Sequence, residues 1–453
     1  MPAEADGVAP LAVVEAARQF LSTFKTPGMI LAAVSGGSDS KGLLLALHEA
    51  IARGGFSAFS LSACTVDHGL RPESASEAHA VAQFCAGRKI PHFTRRWLGE
   101  KPATGLQAAA REARYVLLAD AAEEVGAQCI VTAHTAEDQV ETVAMRQSRS
   151  QPDALGLAGM ADAMLVDRRF WVLRPFLKQR RADIRGYLAL RGEDWFDDPS
   201  NANPRFERVR VRQALHDDAR STTDHFTAAA EARRRSSARV ADLLERHVAV
   251  FERLAARIDP ALGGNMSDPD CRRAILSLTA VLGGRRHLPG RETAARLAAF
   301  LAEGRDGRMT AGRVVFDRRR SGLYLYREAR NLPEIVIRPR QKAVWDGRFI
   351  VSNIGQEPLV VAGGVDTREL AARPIAAGLP EAIVKRAAKS VPVVSAAGQG
   401  ALSYKPLVEI SIGLYDTFLP RFDLMMANSI AALVGRDRYL APPVHDVLTE
   451  KTG

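Results

Sequence analysis

The chain has 453 residues, 47% of them hydrophobic and 25% charged, which is too long for one ordinary domain and ample for two or three packed cores. No stretch approaches the roughly 18 apolar residues of a membrane helix, and Met1–Pro10 has neither the basic nor the apolar region of a secretory leader. The balance of 62 Lys and Arg against 52 Asp and Glu, +10 overall, favours a polyanionic partner without specifying one.

In chain order, Met29–Val34 is a short buried-strand run, followed by a Gly-rich turn and a helical pattern through Leu43, Leu44, Leu47 and Ile51. Phe59–Val66 predicts a second strand, Glu73 to Arg88 a helix, and His92–Trp97 a weaker third strand. Leu106–Val125 is an Ala-rich helix, Gln128–Ala133 a fourth buried strand and Asp138–Arg149 a further helix. Trp171–Phe176 and Ala182–Leu190 add one more strand and helix. Strands alternating with helices predict a doubly wound parallel sheet, α/β in class, covered on both faces. A turn-rich stretch, Trp195–Asn203, and a basic run, Arg205–Arg212, close this part. From Thr223 to Ala302 the pattern is helical, and Arg308–Tyr326 reads as two strands around the basic turn Arg318–Gly322. The remainder has short apolar pieces punctuated by Gly and Pro. The expected organisation is an N-terminal α/β domain at 1–220, a mostly helical domain at 221–335 and a smaller α+β domain at 336–453.

Cys64, Cys85, Cys129 and Cys271 are isolated and lack the spacing of a zinc or iron–sulfur site. They read as small buried hydrophobes in a reducing, cytoplasmic compartment.

Three groups of chemistry-bearing residues fall at strand ends. Ser35, Gly36, Gly37, Ser38, Asp39 and Ser40 follow the first strand and open a helix. Paired glycines permit positive φ and close backbone approach to a phosphate, and the helix N-terminus presents N–H groups to the anion. The serines add hydroxyls, and Asp39 suits a magnesium ion shared with phosphate oxygens. The spacing of a Walker A loop is absent, as is G-x-G-x-x-G. His134 lies just past the fourth strand, which in a doubly wound sheet neighbours the first, so His134 should face that loop. Asp138 and Glu141, three apart at a helix start, share a face and call for a metal, a cation or a proton, unless Asp138 simply caps the helix and Glu141 is solvated. Asp67, His68 and Arg71 follow the second strand and would face the same crevice, unless Asp67 simply stabilises a turn.

The S-G-G-x-D-S loop resembles that of the PP-loop ATP pyrophosphatases, which release pyrophosphate from ATP. Further blocks narrow the resemblance to the tRNA(Ile)-lysidine synthase family: Val66–Ser74, Ala109–Tyr115, Thr132–Thr142, Leu155–Met160, Leu173–Leu177, Asp197–Asn201 and the R-x-R-x-R run Arg208–Arg212. Weaker similarity extends to Thr310–Glu328 and Trp345–Phe349, which resemble the family's C-terminal tRNA-binding domains. The resemblance implies ATP-dependent attachment of free L-lysine to C2 of the wobble cytidine in a CAU-anticodon tRNA(Ile). ATP would first adenylate the C2 oxygen, and the lysine ε-amine would then displace AMP. It implies ATP and Mg2+ as cofactors, Asp39 as the metal residue, and Asp39, His134, Asp138 and Glu141 as catalytic residues. Asp67, His68, Arg71, Arg111, Arg174, Asn201 and Arg208 become substrate-binding candidates, and a homodimer follows only by analogy. The chain departs from the family pattern at Thr135, at Ser150–Pro152 and at Val209. A tRNA thiolase of the same superfamily would need paired cysteines. An amidating ligase would not need the arginine-rich regions, and a catalytically silent RNA binder would not need an intact loop.

Overall fold

A computed structural model describes residues 8–53, 55–70, 73–149, 155–197, 207–214, 223–252, 254–364, 378–397, 402 and 404–446. The chain divides into two compact units. The first comprises Met1–Arg233, Pro420–Phe422 and Leu440–Gly453; the second comprises Arg234–Leu419 and Asp423–Tyr439.

The first unit is built on α1 (Val8–Ser22), β1 (Met29–Ala33), α2 (Ser38–Ala52), β2 (Ser60–Asp67), α3 (Ser74–Ala86), β3 (His92–Arg96) and α4 (Leu106–Glu124). It continues with β4 (Cys129–Val131), α5 (Ala136–Arg149), β5 (Ala163–Val166), β6 (Phe170–Leu173), α6 (Arg181–Ala189) and α7 (Glu207–Ala214). Within this unit the strands lie side by side in the order β5, β6, β4, β1, β2, β3. β1 is paired in parallel with both β2 and β4, so the expected adjacency of first and fourth strands holds. Ile30, Leu31, Ile130 and Val131 are fully buried, as strands covered on both faces require.

The sheet is not wholly parallel. β5 runs antiparallel to β6, with Val166 opposite Phe170. The connection is too short for a crossover, and Asp167 and Arg168 take φ of +50° and +56°, the paired left-handed conformation of a tight hairpin. This hairpin is absent from the sequence reading, because Ala163–Val166 carries no periodicity of its own. The C-terminal segment returns to the unit: the Trp171 indole donates to the Leu440 carbonyl at 3.1 Å, and Lys25 N–H donates to Pro443 O at 3.0 Å.

The second unit holds a five-stranded antiparallel sheet and two three-stranded sheets. The division between the units falls inside α8 (Thr223–His247). β7 (Val248–Phe251), β8 (Ala255–Ile258), α9 (Pro260–Gly263), α10 (Pro269–Leu282) and α11 (Arg291–Glu303) follow. Where two strands were expected near Arg308–Tyr326 there are three: β9 (Gly307–Ala311), β10 (Val314–Arg319) and β11 (Gly322–Arg327). The extra hairpin turns at Gly312 and Arg313, both at positive φ. In the basic turn, Arg318 donates to Leu301 O and Arg319 grips Asp317, so these two serve the fold, while Arg320 is exposed. Asp346 anchors the unit's interior, accepting from Arg313, Arg327 and Arg348.

Candidate functional site

The loop after β1 is cinched by its own serines. Ser35 N–H donates to Ser40 Oγ at 3.1 Å, and Ser40 Oγ donates to Gly37 O at 3.1 Å. Gly36 sits at φ +82°, a conformation that L side chains rarely adopt, and a Cβ there would lie 3.0 Å from Phe196 Cδ2. The carbonyl of Gly36 accepts the Phe196 N–H at 3.0 Å, which fastens the segment after α6 to the loop. Gly37 caps α2 with no side-chain hydrogen bond, so the helix start stays open to an anion.

Around the loop lies a cleft of about 620 Å³. Its lining joins Ser35, Gly37, Ser38, Asp39 and Ser40 to His134 and Asp138, so the first and second residue groups do converge. Gly36 contributes backbone behind this surface. His134 is oriented by a 3.0 Å hydrogen bond between its Nδ1 and Thr132 Oγ1. The cleft's apolar wall includes Ala33, Val34, Cys64, Val66 and Leu118. Burial pushes the Cys64 thiol up to about 12, so it is held as a thiol at neutral pH.

Asp138 has two tasks. Its Oδ2 accepts from Thr135 N–H at 2.8 Å and from Thr135 Oγ1 at 3.2 Å, which ties it back to the residue that precedes α5. Its Oδ1 lies 3.6 Å from Arg181 Nη2. Arg181 Nε donates to Asp39 Oδ2 at 3.0 Å, and its backbone N–H is received by the Glu137 carboxylate at 3.0 Å and 3.1 Å. One guanidinium therefore ties the loop aspartate to the α5 aspartate. Burial raises the Asp39 pKa and the nearby Asp138 adds to this, with Arg181 opposing both. Arg185, one turn further along α6, donates to Ser38 Oγ at 3.3 Å and to Asp197 Oδ1 at 2.8 Å.

Glu141 is buried at 2% exposure and accepts from Arg212 Nε at 2.6 Å. Arg212 lines the cleft and Glu141 does not, so the carboxylate acts from behind the guanidinium. Asp67 and His68 also lie off the cleft wall. Asp67 accepts from Gly69 N–H at 2.8 Å and Ser74 Oγ at 2.7 Å. Burial works against its ionisation, but these hydrogen bonds prevail and hold its pKa below the usual range. That is the turn-stabilising role. His68 Nε2 accepts from Arg114 Nε at 3.3 Å; burial, then Arg114, depress the His68 pKa to about 4. Arg114 itself reaches the cleft.

Arg111 is exposed, its guanidinium 5.2 Å from the Tyr115 ring centre, and is not part of the lining. Arg174 is turned inward at 5% exposure, donating to Ala161 O at 2.5 Å. Arg71, Asn201 and the Ser150–Pro152 departure lie outside the described residues, and so does the Arg208 side chain, although its backbone belongs to α7. Thr135 is wholly buried at the α5 cap, and Val209 is buried in α7.

Sequence reasoning missed Arg181, Arg185, Phe196 and the separate importance of Arg114, Tyr115 and Arg212. The i, i+4 spacing of Arg181 and Arg185 puts them on one face of α6, but spacing alone does not say that this face turns to the loop.

Asp39 and Asp138 bring carboxylate oxygens to the cleft beside the loop, donors suited to a hard cation that shares its shell with phosphates and water. Among the described residues no group of three or more His, Cys, Asp or Glu side chains forms a metal cage. The chemistry of these donors is compatible with a magnesium ion that completes its shell with phosphate and water oxygens.

Residues 11–219 match the family model described as a PP-loop domain. Over nearly the whole chain the sequence is similar to three curated relatives, each named tRNA(Ile)-lysidine synthase. The relative from Rhizobium meliloti is 53% identical, covering 97% of this chain and 99% of its own length. That from Mesorhizobium japonicum is 40% identical, covering 91% and 94%. That from Brucella canis is 36% identical, covering 90% and 94%.

Proposed function

The chain belongs to the tRNA(Ile)-lysidine synthase family, an ATP-dependent ligase family, and we propose that the cleft of its first unit carries out both half-reactions on the wobble cytidine of a CAU-anticodon tRNA(Ile). The observation that carries this is the convergence of the Ser35–Ser40 loop, His134 and Asp138 on one cleft. A 620 Å³ space accommodates a nucleotide together with a reacting base.

The loop binds the phosphates through its serines and the open start of α2. Asp39 would hold magnesium, which would neutralise phosphate charge. The apolar wall of Ala33, Cys64, Val66 and Leu118 takes the adenine. The cytidine C2 oxygen bonds to the α-phosphorus, the bond to the bridging oxygen breaks, and pyrophosphate leaves with the electron pair. His134, oriented by Thr132, serves this step. Free lysine then enters. Its ε-amine, with an ordinary pKa near 10.4, must shed a proton before it attacks C2 and expels AMP. Asp138 at the cleft wall receives the ammonium and that proton, while Glu141 fixes Arg212 for the lysine carboxylate.

The division at residues 220 and 335, with tRNA contacts beyond the first domain, is part of this reading, as are a cytoplasmic location and a homodimer. Among the described residues no helix is long and apolar enough to cross a membrane. Sulfur transfer is disfavoured, since Cys64, which lines the cleft, is kept protonated.

The test is incorporation of radiolabelled lysine into CAU-anticodon tRNA(Ile). Labelling that needs ATP and disappears with another wobble base supports the reading. Pyrophosphate release with a different acceptor, without lysine incorporation, would refute it.

A further inference from the structure

Two arginines of α6 stand on the cleft wall beside the phosphate loop, and neither belongs to the loop motif. Arg181 and Arg185 are four residues apart, on one face of the helix. Arg181 meets Asp39 Oδ2 at 3.0 Å and Arg185 meets Ser38 Oγ at 3.3 Å, so both guanidiniums reach the first turn of α2. The Trp195 ring, 5.5 Å from the Arg185 guanidinium carbon, limits where that plane can lie.

The two arginines differ in how firmly they are held. Arg181 is engaged by two aspartates and is only 21% exposed. Arg185 is 42% exposed, and its carboxylate partner Asp197 is 73% exposed. An ion pair in such high dielectric is weak, so Arg185 can exchange Asp197 for a more highly charged anion at small cost. A planar guanidinium suits the bidentate grip of a phosphate better than an ammonium does.

We propose that Arg185, with Arg181 beside it, clamps the β- and γ-phosphates of ATP and retains the pyrophosphate as it leaves, a role that rests on the adenylation reading above. As the C2 oxygen bonds to the α-phosphorus, the bond from the α-phosphorus to the α,β-bridging oxygen breaks and its electron pair stays with pyrophosphate. Charge builds on the departing pyrophosphate, and cations that close on its phosphates lower the barrier. Arg181 keeps the loop and α5 aspartates in place, and Arg185 is the arm that moves between Asp197 and phosphate.

The test is calorimetric binding of inorganic pyrophosphate, with magnesium, to the full-length protein. Arg185→Met should weaken binding by about ten- to hundredfold, and Arg185→Lys should keep part of it. Asp197→Asn releases Arg185 from its competitor, so affinity should hold or rise. A structural ion pair predicts the opposite, with Asp197→Asn as damaging as Arg185→Met. The proposal is overturned if Asp197→Asn weakens binding as Arg185→Met does, if Arg185→Met stays within about twofold of wild type, or if the wild type binds no pyrophosphate. Should Arg185→Met fail to fold, the lysine and asparagine variants decide the matter. Lysine incorporation by the wild type, measured in parallel, tests the adenylation reading separately.

Discussion

Asp39→Asn should separate function from stability. The carboxylate is 22% exposed, accepts from Ser38 Oγ at 3.1 Å and from Arg181 at 3.0 Å, and still has a raised pKa. A raised pKa in the folded state means that folding works against the ionised form. The group therefore subtracts stability at neutral pH, and that cost vanishes as pH falls and the carboxyl takes up a proton. Asparagine keeps one oxygen acceptor for Arg181, its amide NH2 can donate to Ser38 Oγ in place of accepting from it, and Arg181 retains Asp138 at 3.6 Å. Stability should change by no more than about 1 kcal/mol, in either direction. Turnover should nevertheless fall by about two to three orders of magnitude, as when a group stabilising transition-state charge is lost. The wild-type rate should also show an acid limb. Activity carried by ionised Asp39 is present above its pKa and is lost as pH falls through it; burial raises that pKa in the metal-free site, and bound magnesium would lower it, so more magnesium should move the limb to lower pH. Thermal melts and lysine incorporation across pH read these effects together. If the variant loses more than about 2 kcal/mol and activity falls only in proportion to unfolding, Asp39 is a structural ion-pair partner and the argument fails.

Gly36→Ala places a Cβ at φ +82° and 3.0 Å from the Phe196 ring, so it should cost about 1–3 kcal/mol, read as a lower urea midpoint with unchanged slope. Arg174→Ala removes a buried side chain and its bond to Ala161 O, and should cost about 2–4 kcal/mol while leaving the KM for lysine within about twofold; a selective rise in that KM would return Arg174 to the substrate-binding residues. His68 is depressed to about 4 in the folded chain, so its contribution is whole above the unfolded value near 6.5 and is lost as pH falls from there toward 4. Between pH 7 and 5 the wild type should lose about 1–2 kcal/mol more than His68→Gln, and parallel curves would show that the imidazole is not shielded.

The sequence carried the phosphate loop openly because its chemistry is local. A buried strand, two glycines and a helix start must adjoin one another in the chain, and they do so at Met29–Ala52. The convergence of His134 and Asp138 was legible at one remove, since it needs only the rule that places β4 beside β1. Arg181 and Arg185 were hidden for a different reason. They approach the loop through the packing of α6 beside α2, and in a chain with 62 basic residues nothing local marks which arginines face inward. Glu141 shows the converse: the motif promised a cleft residue, and packing set Arg212 in front of it. A loop motif thus fixes where phosphates bind, while the charge around them is set by arginines whose placement depends on neighbouring helices. Arg185 is the sharper case of the two. Its partners Ser38 and Asp197 come from segments on either side of α6, so its setting exists only once both have packed.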